Sequence, residues 1–342
     1  MVIQEHIYPG SKVICYLDAE FAYLKELAGK QEVVILTDEN IFAFHAPKFS
    51  GYRVIQIAPG EKFKSQSTVD AIITKLVEFE TDRNTLLVGV GGGVVTDLTG
   101  YVAAIYMRGI PFALVPTSLL AMVDASIGGK NGIDVGLYKN LVGTFRQPGF
   151  ILYDHSFLQS LPLDEWVNGF AEVIKHACIK DTILFSMLER YTLHDFRSDA
   201  TLVAELVERN VQIKSAVVTA DPFEKGERKI LNFGHTIGHA LENLYELPHG
   251  HAISIGMVAA CNLSEKKCGL HFSEANKIVK LLSRYQLPVD MEADYENVFG
   301  LLKMDKKRVN HDIQFILLPR IGQALVQPIS LEELQQHLKE IL

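Results

Sequence analysis

Residues 84 to 100 read NTLLVGVGGGVVTDLTG, an apolar run of strand length that enters three consecutive glycines and leaves as a helix-like segment. A strand that turns sharply into a helix belongs to a strand–helix alternation, and the chain around it has that texture. Residues 32–37 (EVVILT) and 53–58 (RVIQIA) read as strands, and residues 67–80 as a helix with Val69, Ile72, Ile73, Leu76 and Val77 on one face. Residues 84–90 supply a third strand, 94–107 a helix and 112–115 a buried strand. Such alternation predicts a parallel sheet covered on both faces.

After Pro162 the pattern changes to long amphipathic helices, predicted over 164–180, 182–191, 200–220, 232–245 and 252–268. At 342 residues the chain exceeds one ordinary domain of roughly 100–200 residues. The expectation is an α/β domain over 1–161 and a helical domain over 162–342. A net charge of −8 argues against a nucleic-acid partner, so the cations that matter are local to an anionic ligand. Cys15, Cys178, Cys261 and Cys268 lack CxxC spacing and read as reduced thiols of a cytoplasmic protein. The N-terminus lacks a signal-peptide pattern, and the apolar stretch 109–123 is broken by Pro111, Pro116, Thr117 and Ser118, so no membrane partner is expected.

Four segments carry chemistry. In the glycine run a bare backbone can approach a pyrophosphate, whose charge a helix N-terminus favours. Val94 stands where the GxGxxG fingerprint has its third glycine, so a phosphate turn and a merely tight turn both stay open. Asp97, one turn into the helix, suits a ribose or substrate hydroxyl better than a phosphate. Between Arg108 and Asn140, Asp124 follows an apolar run, while Arg108, Lys130 and Lys139 are cations able to hold a phosphate or carboxylate.

On the helix 164–180, Glu172, Lys175 and His176 share a stripe, and a carboxylate in an otherwise apolar helix is costly unless paired or metal-bound. The stretch 226–251 (GERKILNFGHTIGHALENLYELPHGH) places His235 and His239 four apart, then His249 and His251 beyond Pro248. Arg228, Lys229 and Asn232 lie just upstream. By spacing alone, His235 and His239 can reach one metal. One glutamate and two histidines would leave a coordination position open, as in catalytic zinc sites.

The ordered motifs PGEKFK, GGGVVTDLTG, MRG, PTSLLAMVDASIGGK, YKNLVGTFRQP, GFAEVIKH, RKILNFGHTIGHA, PHG and MDKK resemble the 3-dehydroquinate synthase family across essentially the whole chain. The resemblance implies a Rossmann-like NAD-binding domain with a parallel sheet, and an all-α C-terminal domain for metal and substrate. It implies a phosphate-eliminating cyclase of the shikimate pathway, cytoplasmic and homodimeric, acting on a small anionic sugar-acid phosphate with catalytic NAD and zinc or cobalt. It places the metal ligands on Glu172, His235 and His249, with His239 turned toward substrate. It assigns NAD to Asp38, Asn40, Glu61, Lys64, Gly91, Gly92, Gly93, Val94, Val95, Asp97, Thr117, Ser118, Lys130, Lys139, Phe157 and Ser160. Substrate contacts fall on Arg108, Asp124, Lys130, Asn140, Lys175, Lys214, Arg228, Asn232 and Lys306. The chain departs from the family pattern at His251, where the family has glutamate. Retention of Lys130, Arg228 and Asn232 favours this family over sibling sugar-phosphate cyclases.

Overall fold

The computed structural model describes residues 1–136, 138–303, 308–309 and 312–341. The chain divides into two compact units: Met1–Glu165 with Asp199–Phe223, and Trp166–Ser198 with Glu224–Leu342.

The first unit is built on seven strands: β1 (Val2–Tyr8), β2 (Ser11–Leu17), β3 (Val33–Asp38), β4 (Arg53–Ile57), β5 (Leu86–Gly91), β6 (Phe112–Pro116) and, after a hairpin, β9 (Phe150–Leu152). Their spatial order is β1-β2-β9-β6-β5-β3-β4, parallel throughout except for the antiparallel β1–β2 pair. The alternation in the sequence thus becomes the expected parallel sheet. The hairpin consists of β7 (Lys130–Val135) and β8 (Tyr138–Phe145). Strand β5 is buried along its whole length, which is why its sequence is uniformly apolar instead of alternating. Val33, Ile35, Val88, Val90, Ala113, Val115 and Leu152 form part of one core with Phe21, Phe49 and Phe157.

The strand order matters for function. From β3 the chain steps outward to β4, then returns to the other side of β3 as β5 and proceeds to β6 and β9. The direction of winding therefore reverses between β3 and β5. In open α/β sheets, ligands bind at the carboxyl ends of the strands flanking such a reversal. Thr37 pairs with Val90, and Gly91 with Pro116. Asp38, Gly91 and Thr117 consequently lie at one edge of the sheet.

Helix ends differ from expectation for local reasons. The helix Gln66–Glu78 buries Val69, Ile72 and Leu76, but Val77 is 62% exposed. At about 100° per residue, Val77 falls well off the stripe set by the other three. The helix after the glycines is Gly93–Ile105, ended by a left-handed Met107. The helix Ala200–Ala220 matches its predicted span and packs against β1 in this first unit.

The second unit is mainly helical. Leu163–Lys180, Thr182–Arg190, Leu193–Ser198, His235–Tyr245, His249–Cys268, Phe272–Arg284, Tyr295–Leu302 and Leu331–Ile341 are its α-helices among the described residues. It also carries an antiparallel sheet not anticipated for an all-α domain, made of β10 (Arg308–Val309), β11 (Asp312–Arg320) and β12 (Gln323–Ser330). Ile313, Phe315 and Leu317 of β11 join Ile255, Ala259 and Leu263 of His249–Cys268 in one core, with Ile237 and Leu241. The predicted helix 232–245 starts only at His235, because left-handed Gly234 precedes it and Glu227–Asn232 forms a 3₁₀ turn.

Candidate active site

In the first unit the glycines of the β5 turn have two different surroundings. A Cβ on Gly89 would lie 2.2 Å from Thr99 Oγ1, and one on Gly91 would lie 2.5 Å from Val95. These glycines let the following helix approach its strand. A Cβ on Gly92 would be no closer than 3.5 Å to Ser118 Oγ, and one on Gly93 would be 3.5 Å from Ala125 Cβ. Gly92 has extended dihedrals open to any residue (φ −74°, ψ −168°), and no side chain caps the helix it begins. The first amides of a helix have no intrahelical acceptor. Around them stand half-buried Val94 and Ser118, and Thr117, whose N–H donates to Gly91 O at 3.0 Å.

Lys64 gathers three predicted residues. Its buried ammonium lies 2.5 Å from Asp97 Oδ2, donates to Asn140 Oδ1 at 2.6 Å and is 3.8 Å from Glu61. Burial opposes its charge, but Asp97 and Glu61 outweigh that and hold it up at about 12. Lys214 meets Asp124, ninety positions away, at 2.8 Å to Oδ1 and 2.6 Å to the backbone oxygen. Asp38 caps the helix Glu39–His45, on which Asn40 is exposed. Ser160 Oγ lies 2.8 Å from His45 Nε2, while Phe157 is fully buried in the apolar core. Lys130 and Lys139 lie on the β7–β8 hairpin.

Arg108 and Asn140 have positive φ, 64° and 50°. Neither is glycine, so each holds a conformation that costs energy, of the sort concentrated at functional sites. Sequence reasoning missed this strain.

In the second unit three helices meet at Glu172. The Nε2 atoms of His235 and His249 lie 3.4 and 3.2 Å from the same Glu172 oxygen, Oε1, and Lys175 pairs with Oε2. Glu172 and Lys175 are buried inside the helix Leu163–Lys180. Desolvation works against the Glu172 carboxylate, but Lys175 and then the imidazoles hold it well below the usual range. His235 Nδ1 faces Phe233 O at 3.0 Å, and His249 Nδ1 faces Glu242 Oε2 at 3.4 Å. Burial lowers the His235 pKa, whereas at His249 the carboxylates of Glu172 and Glu242 overcome burial and raise it to about 9.

Glu172, His235 and His249 offer ligand atoms all within 4.8 Å of one another. Tetrahedral zinc with bonds of about 2.0–2.1 Å to N and O keeps its ligand atoms about 3.3 Å apart. The two separations to Glu172, 3.2 and 3.4 Å, already have that spacing, and a carboxylate with two imidazoles is a donor set of the kind that zinc takes. His239 lies beside them, its ring centroid 5.1 Å from that of His235, and falls in a second group with Glu242 and His249. His251 belongs to no such group among the described residues. Arg228 is 2% exposed on the 3₁₀ turn, and Asn232 Nδ2 donates to Glu224 at 2.5 Å. Lys306 lies outside the described residues.

The histidine helices meet through glycine. A Cβ on Gly256 would lie 2.0 Å from Gly234 O, and one on Gly238 would lie 2.9 Å from Ala252 O. Close helix approach thus places His235 beside His249. Asn168, one turn before Glu172, accepts from the Gly250 N–H and ties the glutamate's helix to the residue after His249. Asn168 and Glu242 had no distinguishing signal in the sequence, because their partners are 82 and 7 positions away and their roles follow from the fold.

The 3-dehydroquinate synthase N-terminal family description matches residues 54–168, and the 3-dehydroquinate synthase C-terminal description matches 169–308. The chain is 38% identical over 330 residues to the 3-dehydroquinate synthase of Streptococcus pneumoniae (strain ATCC 700669 / Spain 23F-1), covering 92% of each chain. Among solved structures, 2-epi-5-epi-valiolone synthase from Streptomyces hygroscopicus subsp. jinggangensis 5008, with NAD+ and Zn2+ bound, is 25% identical with a TM-score of 0.88, covering 100% of this chain and 98% of that one. A 2-deoxy-scyllo-inosose synthase complexed with carbaglucose-6-phosphate, NAD+ and Co2+ shares the fold at 22% identity, with a TM-score of 0.87 and full coverage of both chains. The two family descriptions run end to end from 54 to 308, and this chain belongs to the 3-dehydroquinate synthase family.

Proposed function

We propose that this chain converts 3-deoxy-D-arabino-heptulosonate 7-phosphate to 3-dehydroquinate and phosphate, using NAD catalytically and one zinc ion, with cobalt as a substitute. The observation that carries the reading is the convergence of two imidazole Nε2 atoms on one carboxylate oxygen, in a chain of this family. Glu172, His235 and His249 would hold the metal. Gly91 to Val95, with Asp38, Asn40, Glu61, Lys64, Asp97, Thr117, Ser118, Lys130, Lys139, Phe157 and Ser160, would form the NAD site. The functional division we propose is NAD binding over 1–161 and metal and substrate binding over 162–342.

When bound, the metal would supply Lewis-acid polarisation of a substrate oxygen, and NAD reversible hydride uptake. The protein's own share is binding and orientation. Arg228 is buried, and its planar guanidinium can grip a carboxylate or phosphate with two parallel hydrogen bonds. Lys175 and Lys214 are cations already desolvated in the fold, so they meet an anion without first shedding much water. Arg108, Asp124, Lys130, Asn140, Asn232, His239 and Lys306 would complete the grip on the substrate's hydroxyls and anionic ends. The working form is a cytoplasmic homodimer, which sedimentation would test.

Incubation with the seven-carbon phosphate, NAD and zinc decides the activity. Phosphate and dehydroquinate should appear together without stoichiometric NADH, and chelation should stop both. Equimolar NADH would identify a dehydrogenase, and turnover of a sugar phosphate lacking the carboxylate in preference to this substrate would identify a sibling cyclase.

A further inference from the structure

We infer that Glu242 is a positioning residue for the metal site: it fixes the tautomer and orientation of His249. The inference rests on the proposed Glu172/His235/His249 site. A neutral imidazole has one N–H and one lone pair. If Nε2 of His249 is to offer its lone pair beside Glu172, the proton must sit on Nδ1, and an acceptor there holds that N–H on a part-buried ring. Glu242 Oε2 is the atom facing that nitrogen, at 3.4 Å, on a side chain only 5% exposed.

The two ligand histidines solve this requirement differently. His235 directs Nδ1 at the backbone oxygen of Phe233, which its own chain supplies two residues upstream. His249 opens a helix behind Pro248 and takes its acceptor from another helix. Glu242 stands seven residues after His235, two turns along the same helix. One helix thus supplies a ligand at its first residue and the orienting carboxylate for the second ligand further along. Such a buried carboxylate on a metal-binding histidine also raises the basicity of the ligating nitrogen. The group His239, Glu242 and His249 is accounted for in the same way, since the nitrogen of His249 nearest Glu242 is the one not facing Glu172.

The test is titration of the full-length metal-stripped protein with Co2+ and Zn2+ against a competing chelator, for wild type, Glu172→Ala, Glu242→Ala and Glu242→Gln. Glu172→Ala should lose the metal. Glu242→Ala should bind it about 10–100-fold more weakly, with an altered Co2+ absorption spectrum. Glu242→Gln keeps the volume and an oxygen acceptor without the charge, so it should restore part of the affinity; it also decides the matter if the alanine variant does not fold. Wild-type metal affinity and spectrum in the glutamine variant, with Glu172→Ala deficient, would overturn the role of Glu242 alone. A wild type that binds two ions and a Glu242 variant that binds one would make Glu242 a ligand and overturn it as well. Normal metal binding by Glu172→Ala would instead overturn the metal-site reading, and this inference with it.

Discussion

The proposed NAD turn and the proposed metal site are both rich in glycine, but glycine does different work in each. At the β5 turn, side chains on Gly92 and Gly93 would find room, with nearest atoms at 3.5 Å. Between the histidine helices, a Cβ on Gly256 would collide with backbone at 2.0 Å. Among the described residues nothing crowds a side chain at Gly92, so on the proposed reading glycine there would serve a ligand. Gly256 is required by the chain itself, and any effect on a ligand passes through helix spacing. A run of glycines in a sequence does not separate these cases; the space around each missing Cβ does.

The largest effect expected from this contrast is that of Gly256→Ala. Its methyl meets Gly234 O and, at 2.8 Å, Gly238 N, and neither backbone atom can rotate away. The helices must separate, at a cost of about 1–3 kcal/mol. His235 and His249 then no longer share Glu172. Urea unfolding and metal titration of one preparation should show both losses. A variant as stable as wild type that binds metal normally would break the comparison on this side.

Next comes Gly92→Ala. The backbone dihedrals accept alanine, so folding stability should stay within about 0.5 kcal/mol. NAD affinity should nevertheless fall about 10–100-fold, because the methyl stands where backbone must approach the pyrophosphate. Calorimetric titration with NAD beside thermal unfolding checks both. Unchanged NAD affinity would reduce Gly92 to a turn residue.

How much of this was legible beforehand follows the range of the interactions. Strand β4 and the helix Ala200–Ala220 were readable because apolar periodicity is local. The β1–β2 hairpin was missed although VIQEHIY and SKVICYL flank a Pro-Gly turn, a usable hairpin signal. The β7–β8 hairpin and the β10–β12 sheet were harder. Strand β8 is mostly exposed, so no apolar stripe announces it. At the site, Glu172, His235 and His249 were assigned through family motifs; spacing alone offered His235 with His239. The link made by Asn168 exists only once segments 82 positions apart meet, and that made by Glu242 only once two helices turn back on each other.

The smallest expected effect is a pH dependence that separates the two polar clusters. His249 is raised from 6.5 to about 9 when folded: burial opposes the charged ring, and hydrogen bonds to Glu172 and Glu242 outweigh it. A group whose folded pKa is raised adds stability that is full below its unfolded value and is lost as pH rises through the folded one. In metal-free protein that loss falls between pH 6.5 and about 9. Glu172 has the opposite sign: its pKa is depressed from 4.5, so its contribution is full above pH 4.5 and is lost on further acidification. Lys64, held at about 12, stays charged across both windows and itself adds no slope in either. Zinc on Nε2 excludes the His249 proton, so zinc binding strengthens as pH rises. Unfolding at pH 6.5 and 9, with zinc or with chelator, should therefore show the zinc-dependent stability gain growing with pH. The growth should shrink in Glu242→Gln, where the raised pKa loses one of its causes. Parallel loss of stability with and without zinc would mean that no metal-linked proton leaves His249, and the contrast between the clusters would fail there.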